Sequence, residues 1–287
     1  MKKLRIIPRI DIKNNNLVKG IQLEGLRVMG DPSKFVNHYI KEGADEIFYQ
    51  DIVASLYGRN SILEIISDTA KVCSIPLIVG GGIRSIDDIK SVLNAGADKV
   101  AINSAGIKNP SFLREAVEVF GSSTIISCIE IGIIDNDYVL QIYNGREIVP
   151  IKLIDWIEEV QKIGVGEINL TCINTEGTGN GFDERLLNLI IDKIDTQITV
   201  HGGFGNTNQI IGLFKKYKFD GLGLSSMLHY KYVQKLKLIE NEIENSLDGN
   251  KEFLKNIKIP NRIECIELSK LKKILFTSGI DLRMSNE

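Results

Sequence analysis

The chain has 287 residues, 43% hydrophobic and 25% charged, with a formal net charge of −2. Those values suit one large soluble domain with a sizeable core, and the near-neutral balance argues against a dedicated nucleic-acid binder, which shows a basic face. Cys73, Cys128, Cys172 and Cys265 form no CxxC or Cys/His ligand pattern, so free thiols in a reducing compartment are expected, with no metal site. Only a few apolar residues separate Met1-Lys2-Lys3 from Pro8 and Arg9. That is too short for a signal-peptide core, and no run approaches the ~18 apolar residues of a membrane span. A cytoplasmic protein is expected.

In chain order, the first β-rich run is "LRIIPRIDI" (4–12), followed by helical spacing in "DPSKFVNHYIKEGA" (31–44). The runs "EIFYQDI" (46–52), "IPLIVGG" (75–81) and "KVAIN" (99–103) come next, with helical patterns in "SIDDIKSVLNAGA" (85–97) and "NPSFLREAVEVFG" (109–121). "TIISCIEI" (124–131) opens the second half, and "DYVLQIYNGREIV" (137–149) reads as a hairpin around Asn144-Gly145. "IVPIKLIDWIEEVQKIGVG" (148–166) is helical, with Trp156 on the face that packs on the body. "EINLTCI" (167–173), "ITVHGG" (198–203) and "GLGLSS" (221–226) complete the set of strands. Pro or an acid opens several helices and Gly closes them, as caps require. Eight β-then-α units in a chain of this length predict an α/β fold of the (β/α)8 TIM-barrel type.

An internal repeat supports that count. "IDIK" (10–13) returns as "IEIG" (129–132), "DIVASLYGRN" (51–60) as "TCINTEGTGN" (171–180), "GGGIRS" (80–85) as "HGGFGN" (201–206), and "VAINSAG" (100–106) as "GLGLSSM" (221–227). The offset stays near about 120 residues, so the spacing predicts one barrel domain over 1–287 built from half-barrels of about 1–120 and 121–287. Asp11 and Glu130 are then equivalent positions at the C-terminal ends of strands one and five, facing each other across the mouth that carries the chemistry of such barrels. A strand-end acid can also cap the next helix, but the symmetric pair points to paired proton transfer. Gly81 and Gly82 after strand three, and Gly202 and Gly203 after strand seven, let backbone N–H groups approach an anion. Small and hydroxyl residues follow strands four and eight in "AINSAG" (101–106) and "GLSSM" (223–227). Two such cradles predict a substrate with a phosphate at each end, laid across the mouth with its middle near the two acids.

"RIIPRIDIK", "LVKG", "GDP", "VGGGIR", "ADKVAIN", "GTGNGFD" and "HGGFG" together resemble the HisF family, the cyclase subunit of imidazole glycerol phosphate synthase in histidine biosynthesis. The resemblance covers roughly residues 4–230 and resumes over 266–283. It implies that a HisH-like glutaminase releases ammonia at the N-terminal barrel face. The ammonia passes through the barrel and attacks a phosphoribulosyl-formimino carboxamide ribotide, giving imidazole glycerol phosphate and the carboxamide ribotide. It further implies Asp11 as acid, Glu130 as base and Lys19 as a loop lysine that closes over substrate. Gly82, Asn103 and Ser104 fall at one phosphate site, and Gly177, Gly203 and Ser226 at the other. Arg5, Glu46, Lys99 and Glu167 match the family's ring of four alternating charges, read as an ammonia gate or as a salt-bridge plug of the barrel floor. No redox cofactor is implied.

Several positions depart from the family pattern. Its strand-five base is an aspartate where this chain has Glu130; the extra methylene moves the carboxylate by more than ~1 Å, and misplacement of that order can cost ~100-fold in rate. "IGIIDND" lacks the usual basic residue, Asn174 and Glu176 replace aspartates, and Ile21 and Leu23 make the loop after Lys19 less polar. A stretch at 231–262 intervenes before the last helix, on the catalytic face, and reads as a surface excursion, a lid or a docking element. This combination resembles a HisF-like branch associated with glycosyl amidation of surface-polysaccharide (lipopolysaccharide) sugars. Three readings follow: a conduit passing ammonia to a sugar amidotransferase, which the departures favour; a genuine cyclase that uses glutamate as its base; and the related ribonucleotide isomerase, which the gate ring disfavours. Of the histidines, His201 is expected at a phosphate or satisfied at its strand end, His38 solvated, and His229 with Tyr230 beneath the insertion.

Overall fold

A computed structural model describes residues 3–52, 63–237 and 259–284. Eight parallel strands close into a barrel in the order β1 (Arg5–Lys13), β4 (Ile47–Asp51), β5 (Leu77–Gly80), β6 (Lys99–Ile102), β7 (Ile125–Ile134), β10 (Glu167–Cys172), β11 (Gln197–His201) and β12 (Gly221–Leu224). Pairing of β12 with β1 completes the cylinder. Hairpins follow the first and fifth barrel strands: β2 (Asn16–Ile21) with β3 (Glu24–Gly30), and β8 (Asp137–Ile142) with β9 (Glu147–Val149). The (β/α)8 expectation is met, and the second hairpin turns where Asn144-Gly145 predicted it. The first hairpin forms where the sequence predicts only a loop. Its turn places Gln22 and Leu23 at φ of 53° and 63°, a conformation that side chain types do not advertise as Asn-Gly does.

Strand alternation builds two apolar layers from each strand. Ile6, Ile10 and Ile12 of β1 point outward into the core beneath the helices. Ile7 points inward and joins Phe48, Ile78, Ala101 and Ile126, with Cys128 against them, inside the barrel. Burying each such isoleucine stabilises the fold by about 2 kcal/mol. The surrounding helices begin where side chains can take up free N–H groups. Asp31 accepts from Ser33 N ahead of the helix Pro32–Lys41. Ser85 with Asp88, and Asn206 with Gln209, form reciprocal capping boxes at the starts of Ile86–Asn94 and Thr207–Lys216. These two caps follow the glycine turns of β5 and β11, so the same local chemistry occurs after both strands.

Trp156 is buried on the barrel, in the helix Leu153–Ile163 that Gly164 ends in the left-handed conformation. Residues 231–237 of the stretch read as an insertion continue the helix Ser226–Lys237, and 238–258 lie outside the described residues. The chain returns at 259–267 across the glycine loops of the β10–β11 side: Glu264 N donates to Gly205 O at 2.6 Å, and the Glu264 carboxylate accepts from Thr207 N and Oγ1 at 2.9 Å. The last helix, Leu268–Thr277, locks the barrel by a buried pair, Lys272 Nζ with Asp45 at 3.1 Å. Among the described residues no helix is long and apolar enough to cross a membrane.

Candidate active site

At the mouth, Asp11 lies near the C-terminal end of β1 and Glu130 lies on β7, four strands away around the cylinder; both are buried, at 5% and 6% exposure. Between them lies a residue that no sequence motif marks. Arg9 shares the inward face of β1 with Asp11 and is 4% exposed. Its Nε donates to Asp11 Oδ1 at 3.0 Å, its Nη1 donates to Thr171 Oγ1 at 3.1 Å, and its guanidinium sits 5.4 Å above the Phe48 ring. His201 Nδ1 lies 3.4 Å from Arg9 Nη1, and Nε2 lies 3.1 Å from Ser225 Oγ. This histidine is satisfied at its strand end. Burial, with Arg9 close by, holds it well below the ordinary histidine range, so it is neutral. The signal for Arg9 was the alternation Arg5, Ile7, Arg9, Asp11, which places all four inside the barrel.

Glu130 has different partners. Its Oε2 accepts from Gly145 N at 3.2 Å, in the turn of the β8–β9 hairpin, and Asn103 hydrogen-bonds the same carboxylate. Burial pushes Glu130 up to about 7, against the lowering effects of Arg9, the Gly145 N–H and Asn103. The hairpin turn also reaches the first glycine cradle, since Tyr143 N donates to Ser104 Oγ at 3.0 Å. Gly82, Asn103, Ser104, Arg84, Lys108 and Glu130 line one cavity of about 270 Å³. The predicted members of that phosphate site are therefore brought together beside one of the two acids.

The glycines are there for space. Gly81 and Gly202 adopt matching φ of +101° and +107°, and a Cβ would stand 2.1 Å from Asp51 O at the first and 2.8 Å from Cys172 O at the second. No L side chain fits either turn. The second cradle gathers Gly177, Gly202, Gly203 and Ser226, but its cavity is only about 10 Å³. Lys19 lies over this side, buried on β2 rather than free in a loop. Its ammonium donates to Gly20 O at 2.7 Å and is ion-paired with Glu176. Gln22 N also donates to Glu176 O at 2.9 Å, and Gln22 Nε2 to Asn174 O at 2.8 Å. The positions where aspartates were expected thus fasten the first hairpin down.

At the opposite end, Arg5, Glu46, Lys99 and Glu167 meet in a ring. Arg5 bonds Glu46 and Glu167 at 3.0 Å each; Lys99 reaches Glu46 at 2.9 Å and Glu167 at 3.6 Å. Burial alone would raise Glu167, but Arg5, Thr199 and Lys99 outweigh it and hold the carboxyl below its ordinary range. His38 differs from expectation, whereas most of the insertion expected above His229 and Tyr230 lies outside the described residues. His38 is half-buried and stacks on Tyr232 at 4.1 Å rather than being solvated. His229 is fully buried against β1, with Nε2 donating to Arg9 O at 2.9 Å and Nδ1 2.6 Å from Tyr39 Oη.

Comparison with known proteins agrees with this geometry. A family model described as "Histidine biosynthesis protein" matches residues 5–234. Relatives named "Imidazole glycerol phosphate synthase subunit HisF" include one from Lactococcus lactis subsp. cremoris (strain MG1363), 40% identical over 90% of this chain and 96% of the relative. One from Legionella pneumophila is 43% identical over 73% of this chain and 99% of its own length. One from Sulfolobus acidocaldarius is 41% identical over 75% and 86%. The chain belongs to the HisF family of imidazole glycerol phosphate synthase subunits.

Proposed function

We propose that this protein is a working cyclase subunit: it takes ammonia and the phosphoribulosyl-formimino carboxamide ribotide to imidazole glycerol phosphate and the carboxamide ribotide. The observation that carries this is the buried pair Asp11 and Glu130, set on opposite strands and each held by its own hydrogen bonds. A scaffold that had lost its chemistry has no need to hold two costly carboxylates out of water. The two phosphate ends fall to Gly81, Gly82, Asn103 and Ser104 on one side, and to Gly177, Gly202, Gly203 and Ser226 on the other. Lys19 leaves Glu176 when the second end arrives. A HisH-like glutaminase docks on the floor, where the Arg5–Glu46–Lys99–Glu167 ring admits ammonia. The relatives' shared name supports this reading over the conduit reading that the departures first favoured.

Delivery to a sugar amidotransferase remains as a second reading because of one feature, the glutamate in place of aspartate at 130. Growth separates the two. A bacterial strain lacking its own cyclase subunit, supplied with this chain in ammonium-rich medium, grows without histidine, and Asp11→Asn made to the same level does not support growth. No growth despite soluble wild-type protein contradicts the cyclase.

A further inference from the structure

We propose that the single proton of the Asp11–Glu130 pair resides on Glu130, and that Arg9 is the positioning residue that keeps the anion on Asp11. The roles are thereby the reverse of those the family resemblance implies: Glu130 donates and Asp11 accepts. The use of that proton in turnover rests on the cyclase reading; its location does not.

The geometry treats the two acids unequally. Asp11 Oδ1 has the Arg9 guanidinium at 3.0 Å, and Arg9 cannot swing away without giving up Thr171 and the Phe48 ring. Arg9 is buried, so this pair is poorly screened. Glu130 forms no ion pair among the described residues; its recorded partners are the Gly145 N–H and Asn103, both neutral. The groups facing Glu130 are Arg9 and Asp11 from β1, Asp51 from β4, Asn103 after β6, Cys128 on its own strand, Thr171 from β10, and Tyr143 with Gly145 from the hairpin. Arg84 and Lys108 line the same cavity but are exposed, and Lys108 is bonded to the Tyr143 hydroxyl at 2.9 Å. Asp11 and Glu130 share one buried guanidinium, which leaves one of their two negative charges uncompensated, and it is relieved by a proton on the acid farther from the cation. Burial raises Glu130 to about 7, in keeping with that placement.

In the addition step the ammonia lone pair forms a C–N bond to the ribulosyl carbonyl carbon. The C=O π pair moves to oxygen, which takes the Glu130 proton, while an N–H proton passes to Asp11. Loss of water resets the pair: the hydroxyl leaves with the proton now on Asp11, the nitrogen lone pair closes the C=N bond, and its N–H proton returns to Glu130. Each carboxyl ends as it began.

The test is difference infrared spectroscopy of the carboxyl C=O stretch, titrated through neutral pH on the full chain. Expected is a protonated-carboxyl band in the wild type that disappears near pH 7, is absent from Glu130→Gln, and moves to lower pH in Asp11→Asn, where Arg9 has lost its anion. Arg9→Gln moves the band to higher pH and Arg9→Lys restores it, which a purely structural arginine would not do. A band lost in Asp11→Asn but kept in Glu130→Gln overturns the allocation, as does the absence of a neutral-pH band. Arg9→Gln titrating as the wild type overturns the role of Arg9. With ammonium as nitrogen source and free ammonia held constant, turnover falls as pH rises through about 7; a rise there also overturns the proposal. Wild-type protein that turns over nothing sinks the cyclase reading alone, because the infrared titration still locates the proton.

Discussion

Glu130 makes the fold itself sensitive to pH. Its carboxyl is raised from 4.5 to about 7, so the folded state holds the proton more tightly than the unfolded chain. Its contribution is full below 4.5 and lost as pH rises through about 7. Glu130→Gln, which keeps the shape without the charge, is therefore expected to be more stable than the wild type at mildly alkaline pH, by on the order of 3 kcal/mol, and to match it in acid. Urea denaturation at the two pH values measures this. His229 works in the other direction. Burial lowers it from 6.5 to about 4, so the unfolded chain takes up its proton first, and the stability it contributes above 6.5 is lost as pH falls through about 4. Asp11 and Glu130 were legible in the sequence because the repeat marked them as equivalents. Arg9 has no such mark: its counterpart in the second half is Cys128, and only the alternation of β1 shows that it points inward.

The helices and turns that carry the cradles were legible because caps and glycines are local. Ser85→Ala and Asn206→Ala are each expected to cost about 1 kcal/mol, since each removes one half of a capping box and leaves an N–H group unpaired. Thermal melts compare them directly, and near-equal losses are the mark of a duplicated element. Gly81→Ala is harsher: φ of +101° and a Cβ 2.1 Å from Asp51 O force the turn open. A loss of at least about 2 kcal/mol, together with weaker binding of phosphate-bearing ligand, is expected by calorimetry. The β8–β9 hairpin was readable from its Asn-Gly turn. The β2–β3 hairpin was not, because its turn is held by contacts remote in sequence, Gln22 N to Glu176 O and Leu23 N to the Glu176 carboxylate. Glu176 read as a mere departure for the same reason.

At the scale of the molecule, the barrel is closed by charge at one end and by Arg9 near the other, with apolar side chains between. The floor ring is an alternating four-charge network, and removing one member leaves its partners unpaired. Arg5→Ala is expected to destabilise by about 3 kcal/mol, with the loss shrinking in acid as Glu167, held below its ordinary range by Arg5, takes up a proton. Chemical denaturation at neutral and acid pH measures both. The ring was legible as four residues near strand starts, because strand register brings equivalent positions to one level. Which acceptor receives the ammonia was less legible. A methylene at 130 argued for lost chemistry, whereas the hairpin N–H at 3.2 Å holds the longer side chain in place, a contact that is set by tertiary packing.

The most direct measurement is turnover of the ribulosyl ribotide by the purified chain with ammonium salt, following imidazole glycerol phosphate and the carboxamide ribotide together. A cyclase forms the two products in equal amounts, loses at least ~100-fold in rate in Asp11→Asn and Glu130→Gln, and gains nothing from Glu130→Asp. Wild-type protein that forms neither product while Glu130→Asp forms both would contradict the central claim and make this barrel a conduit.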